Sequence, residues 1–128
     1  MPDTEIVSVR YMVDDVDAAV TFYSKVLGFD VTFSAPPVFA EITRGNLRLL
    51  LAGPDSSAGQ PMSDGTKPGP GGWNRIHFVV DDLDAEVARL RDSGAEFRNE
   101  VVEGPAGKQI LVLDPSGNVV ELFEFAQR

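Results

Sequence analysis

No cysteine occurs in this chain, so it holds no disulfide framework, no thiolate metal site and no cysteine nucleophile. Histidine occurs once, as His77. Basic residues are scarce: 11 Lys and Arg stand against 20 Asp and Glu, for a net charge of −9. Such a chain repels phosphates, which argues against a nucleic-acid partner. The same charge mildly favours a cationic or neutral small ligand, and it also serves solubility alone. No apolar run approaches the ~20 residues that a membrane helix needs. The first residues, Met-Pro-Asp-Thr-Glu, are acidic and carry no signal-peptide apolar region, so the expected setting is cytoplasmic, with no membrane partner. A Gly-rich phosphate loop, a nucleophile elbow and a paired Asp/Glu dyad are also missing.

What is present is ordinary in amount and unusual in arrangement. The 128 residues suit one domain, and 43% hydrophobic with 24% charged residues is the balance of a soluble globular chain. The arrangement is a duplication. Tyr11-Met-Val-Asp-Asp-Val-Asp-Ala-Ala-Val20 returns 67 residues later as Phe78-Val-Val-Asp-Asp-Leu-Asp-Ala-Glu-Val87. Six of these ten positions are identical, among them Asp14/Asp81, Asp15/Asp82 and Asp17/Asp84. Self-similarity at a fixed offset means one supersecondary unit used twice.

Each copy passes from apolar alternation into an acidic cap and then a helical stripe. Residues 5–13 alternate as a strand, with Val7, Val9, Tyr11 and Val13 on one face and Ser8, Arg10 and Met12 on the other. Asp14 and Asp15 cap a helix whose stripe is Val16, Ala19, Val20, Tyr23 and Leu27, and Gly28 ends it. Strands are predicted over 29–33, 38–43 and 47–51, with Pro36-Pro37 breaking the first and Arg44-Gly45-Asn46 turning between the others. Residues 52–72 hold four Pro and six Gly and read as a linker. The pattern then restarts. A strand is predicted over 73–80, with Arg75, His77 and Val79 on one face; Asp81 and Asp82 cap a helix striped by Leu83, Val87 and Leu90, ending at Gly94. Strands over 96–102, 108–113 and 119–125 follow, the last two joined by the turn Asp114-Pro-Ser-Gly-Asn118.

The fold class is therefore α+β: two tandem βαβββ modules, about 5–51 and 73–125, within a single domain over 1–128. Each module buries one sheet face under its own helix. The expected result is a curved, partly open mixed sheet around a concave cleft, a normal small-molecule site.

With these motifs the chain resembles the vicinal oxygen chelate superfamily, whose members include glyoxalase I, extradiol dioxygenases, fosfomycin-resistance thiol transferases and bleomycin-resistance proteins. The resemblance runs over about 5–125. It is carried by Val13-Asp-Asp-Val-Asp-Ala-Ala-Val-Thr-Phe-Tyr23 with Leu27-Gly-Phe29, by Val80-Asp-Asp-Leu-Asp-Ala85, and by Leu113-Asp-Pro-Ser-Gly-Asn-Val-Val-Glu-Leu-Phe123. It implies a homodimer, and in enzymes of the family a divalent metal held by His or Glu from the first and last strands of each module. Counting back from Asp15 and Asp82 puts Ser8 and Arg75 at two of these positions; counting on from Gly45 and Gly117 puts Leu49 and Glu121 at the others. Only Glu121 is a ligand of the usual kind. The expectation is accordingly no cofactor, with a displaced divalent-metal site on His77 and Glu121, aided by Glu41, as the alternative.

Glu121 then needs a cationic partner if it faces a cleft, and Arg75 is the natural one, with Arg10 next. The predicted ligand-contacting set is Arg10, Phe39, Leu49, Trp73, Arg75, His77, Gln109 and Glu121; Phe33 and Phe123 are further ring candidates, and each ring has core packing as its plainer reading. The function expected is small-molecule binding of the bleomycin- or antibiotic-resistance type. The alternatives are a metal-dependent glyoxalase-like lyase or isomerase, a dioxygenase, and a metal-free acid–base enzyme using Glu121 or His77 as its catalytic residue.

Overall fold

The computed structural model describes residues 7–127. The chain divides between Pro70 and Gly71 into two compact units, each built on one mixed sheet with one main helix. The fold is α+β, as the duplication implies. Among the described residues no helix is long and apolar enough to cross a membrane.

In the first unit β1 (Ser8–Met12) pairs parallel with β4 (Leu47–Ala52), and β3 (Phe39–Arg44) and β2 (Asp30–Ala35) follow antiparallel, in the order β1-β4-β3-β2. Glu5 and Ile6 of the predicted first strand lie outside the described residues. Between β1 and β2 runs α1 (Val16–Thr21), which widens into π-helical turns over Phe22–Val26. Asp15 caps it, its carboxylate accepting the Ala18 N–H at 3.1 Å. The widening changes the predicted stripe. Phe22 and Tyr23 are both buried, while Val20 is only half-buried. The Ser24 hydroxyl donates to the Val20 carbonyl at 2.7 Å, a side chain competing within the helical ladder where the turn loosens. Phe29 is not in a strand. Its ring packs edge-on against Tyr23 and its N–H reaches the Tyr23 carbonyl, closing the helix end.

Paired residues share a sheet face, so the register sorts this unit into two sides. Tyr11, Leu51, Ala40, Leu49 and Ile42 form the buried side, on strands that α1 packs against. Ser8, Arg10, Phe39, Glu41, Arg48 and Leu50 form the other. The predicted linker begins too early. Ala52 completes β4, and Ser56 is buried, donating to the Gly53 carbonyl at 2.6 Å and accepting the Gly59 N–H at 3.1 Å. A short 3₁₀ turn over Ser57–Gly59 results, so residues 52–60 belong to the first unit's fold.

The second unit repeats the plan. β5 (Ile76–Val79) pairs parallel with β9 (Val119–Phe125), and β8 (Gly107–Leu113) and β6 (Glu96–Phe97) follow antiparallel, with β7 (Val102–Gly104) also on β8. The strand predicted over 96–102 is thus two short pieces. Asn99 explains the break: its side-chain oxygen accepts the Leu111 N–H at 2.9 Å, where a strand would offer a backbone carbonyl. β5 starts three residues later than predicted, because the Trp73 carbonyl is taken by the Arg75 side chain. α2 (Leu83–Asp92) matches its predicted stripe: Leu83, Val87 and Leu90 are buried against a core that includes Ile110, Val112, Val120 and Leu122. Its N-terminus is capped twice, by Asp82 on Ala85 N–H and by Glu124 of β9 on Leu83 N–H.

Candidate functional site

The strongest gathering of polar chemistry lies on the second unit, and a turn sets it up. In Asp114–Asn118 the Asp114 carboxylate accepts the Ser116 N–H, the Asn118 N–H and the Asn118 side-chain amide, at 2.8, 2.9 and 3.0 Å. Gly117 takes a φ of +86, the left-handed region that suits glycine. Asn118 Oδ1 in turn accepts the Gly71 N–H at 2.8 Å. The turn therefore starts β9 in a fixed phase and ties the segment that leads into β5 beside it.

That phase sets Glu121 against His77 and Phe123 against Val79 across the parallel pair. On the other flank Leu111 faces Glu121 and Gln109 faces Phe123. Side chains at these positions share one face. Glu121 is buried, with 7% of its surface exposed. Its Oε1 accepts a hydrogen bond from Arg75 Nε at 2.9 Å, and its Oε2 lies 3.5 Å from His77 Nε2. Arg75 also donates from Nη1 to the Trp73 carbonyl at 3.2 Å. An unpaired carboxylate at this depth would cost several kcal/mol, so the guanidinium is what makes the position tenable.

Aromatic rings continue the site on both sides. The His77 ring lies 5.1 Å from that of Phe123, which meets Phe125 edge-on at 5.0 Å. Phe125 lines a polar hollow of about 490 Å³ with Glu103, Lys108 and Glu124. Asp84, hydrogen-bonded to the Lys108 ammonium at 3.2 Å, holds its pKa above the ordinary lysine value. At the other end Trp73 is 64% exposed, with the Arg98 guanidinium 4.0 Å over its ring.

Of the predicted contact residues, Arg75, His77, Glu121 and Trp73 are brought together, with Gln109 beside Phe123 by register. Arg10, Phe39 and Leu49 belong to the first unit. Arg10 is exposed on β1, and the Phe39 ring lies 6.2 Å from Phe33. The placement of Leu49 has to be corrected. It is fully buried, on the opposite side of β4 from Arg48 and Leu50. Four residues on from the turn glycine, Gly117 leads to the side of β9 that meets Arg75 while Gly45 leads to the buried side of β4, because Gly45 opens a two-residue turn and Gly117 lies late in a longer one. Arg98, Asn118 and Phe125 escaped the sequence reading; only Asn118 carried a signal, its place in the Asp-Pro-Ser-Gly-Asn turn.

The metal that the resemblance implies would need donors on this face. Glu121 and His77 are two candidate ligands, and Arg75 already occupies one oxygen of the first. Glu41 accepts from the Thr32 hydroxyl at 3.0 Å and pairs with Arg48 at 3.7 Å. Among the described residues no three His, Asp or Glu side chains gather at one point. Divalent ions bound by protein side chains want three or more such ligands, so these residues do not fit the group.

Comparison with known proteins accords with the fold. Residues 5–122 match the family model described as the Glyoxalase/Bleomycin resistance protein/Dioxygenase superfamily. Protein CFP32 of Mycobacterium tuberculosis is 31% identical over 115 residues, covering 88% of this chain and 41% of that one. The chain thus spans about two fifths of the length of the curated relatives it matches. Among solved structures, lactoylglutathione lyase from Agrobacterium tumefaciens is 25% identical with a TM-score of 0.75, covering 96% of this chain and 95% of its own. TnmS3, an antibiotic binding protein from Streptomyces sp. CB03234, is 25% identical with a TM-score of 0.73, covering 98% and 99%. The duplicated βαβββ plan and these matches together make the chain a member of the glyoxalase/bleomycin resistance protein/dioxygenase superfamily.

Proposed function

We propose that this protein binds a small organic molecule, in the manner of an antibiotic-sequestering protein, without a divalent metal. The observation that carries this reading is the contact of Arg75 Nε with Glu121 Oε1 at 2.9 Å. A guanidinium there supplies the positive charge that a bound cation would otherwise bring to the buried carboxylate. The likeness to the antibiotic binding protein TnmS3 supports it, as does the row of rings flanking the pair. The reading includes a homodimer, as the family resemblance implies, and a cytoplasmic setting.

The test is elemental analysis of the purified protein together with thermal-shift screening against divalent metals and aromatic natural products. A specific ligand raises the melting temperature by mass action, by about 2.7 kcal/mol of added stability at a hundredfold excess over Kd. The expected result is sub-stoichiometric metal, no response to metals and a dose-dependent shift with an organic compound. Stoichiometric metal lost on His77→Ala would overturn it in favour of a lyase, isomerase or dioxygenase. The likeness to lactoylglutathione lyase motivates that second reading. Acid–base catalysis without metal is a third, resting on His77 Nε2 at 3.5 Å from Glu121 Oε2.

A further inference from the structure

Trp73 is the only tryptophan in the chain, and it is unusually open. One face of its ring is covered by the Arg98 guanidinium at 4.0 Å from the centroid, yet the residue keeps 64% of its surface exposed. The opposite face of the indole is therefore presented to solvent. A large ring with a cation over one face and most of its surface open has the geometry of a stacking platform.

The charge around the platform has a definite sign. Arg75 is neutralised by Glu121, and its Nη1 donates to the Trp73 carbonyl. The Arg98 guanidinium forms no ion pair and no hydrogen bond among the described residues. One net positive charge therefore sits at the ring. It draws π density toward itself, so the open face becomes less negative than that of an isolated indole. An electron-rich ring, or one carrying a negative charge, stacks better on such a face than a cationic one.

This runs against the sign of the whole chain, and distance decides between them. The net charge of −9 is spread over the entire protein. At physiological ionic strength charges beyond about 8 Å are largely screened, whereas a guanidinium in contact with the platform is not. Arg75 adds direction: with Nε and Nη1 engaged, its Nη2 takes no protein partner among the described residues and can donate to an acceptor beside the indole.

We infer that the Trp73–Arg98 stack is a binding platform for a planar aromatic anion, the ring lying on the open indole face and a carboxylate or phenolate directed to the Arg75 Nη2 edge. The inference rests on the small-molecule reading above and names the chemical class of its ligand.

Three probes of one shape separate the possibilities by calorimetric titration: 2-naphthoate, 2-naphthalenemethanol and 2-naphthylmethylammonium. Naphthoate is expected to bind about fivefold tighter than the alcohol, the size of a half-exposed charge contact. It should also shift the single indole N–H signal in a ¹⁵N–¹H spectrum. In Arg98→Gln the preference for naphthoate over the alcohol should shrink to about twofold, the part that Arg75 Nη2 retains, and Trp73→Leu should weaken naphthoate by about tenfold. Circular dichroism checks that both variants keep the fold. Equal or tighter binding of the alcohol or the ammonium, a preference unchanged in Arg98→Gln, or no binding of naphthoate would each overturn the assignment. If the ammonium binds best, or a natural product raises the melting temperature while naphthoate is silent, small-molecule binding stands and the anion class falls. If no organic compound binds, both fall.

Discussion

Arg75 and Glu121 lie 46 positions apart in sequence and 2.9 Å apart at Nε and Oε1. The pair exists because β5 and β9 run parallel, which brings the approach to one strand beside the middle of the other. The Glu121 side chain keeps 9% of its surface and that of Arg75 28%, so solvent screens the contact little. Arg75→Leu should cost about 3 kcal/mol, since it strands a buried carboxylate. The double variant Arg75→Leu/Glu121→Leu should recover at least about 1 kcal/mol of that loss. Urea unfolding of the four proteins measures the coupling, and simple additivity would mean that the pair does not stabilise the fold.

Asp114 is buried and accepts three hydrogen bonds inside its turn. Asp114→Ala leaves three donors without their acceptor, and the expected loss is about 2–3 kcal/mol. The same change frees the start of β9, so ligand binding at Glu121 should weaken even where the protein stays folded. Chemical denaturation gives the first effect and titration of a ligand from the thermal-shift screen the second. A variant with wild-type stability would show that the loop's backbone holds the turn unaided.

Legibility followed how local the cause was. The bounds of β9, the stripe of α2 and the Asp15 and Asp82 caps could be read because each depends on neighbours within a few residues. The Arg75–Glu121 pair was legible through the family resemblance, which marks both positions, and through the need of a buried carboxylate for a cation. The π turns after Thr21, the fold-back around Ser56 and the break at Asn99 were not, since each arises where one polar side chain displaces a backbone partner. Asn99 shows the reason. Nothing in residues 96–102 says that its side chain will meet the Leu111 N–H. The Trp73–Arg98 stack is hidden for the same cause, joining a residue before β5 to one after β6. Leu49 fell on the wrong face because one residue of phase after a turn exchanges the two sides of a strand.

The Lys108–Asp84 contact gives a pH dependence whose sign can be worked out. Asp84, with the charges of Glu124 and Glu103 behind it, holds the Lys108 pKa above its ordinary 10.5. A group raised in the folded state contributes stability that is fully present below the unfolded value and is lost as pH rises through the folded one. Lys108→Met should therefore melt below wild type at pH 7, and the gap should close once the pH passes 10.5. Paired melting curves from about pH 7 to about pH 11.5 check this. A gap of constant size across that range would assign it to the lysine's aliphatic packing.

Gly107 opens β8 opposite Phe125 of β9. A methyl group at its Cα would collide with the Glu124 carbonyl oxygen and come within 2.9 Å of the Phe123 ring carbon Cζ. Its φ of +156 adds strain for any L side chain. Backbone on one side and a packed ring on the other leave little room for adjustment, so Gly107→Ala should cost about 2–4 kcal/mol. Phe123 would be displaced first, and it carries the contact to His77. The His77 ring resonances should shift accordingly in spectra of whatever fraction remains folded. A mild loss of stability with unchanged His77 signals would show that the β7–β8 turn yields outward and that the aromatic row is held by β9 alone.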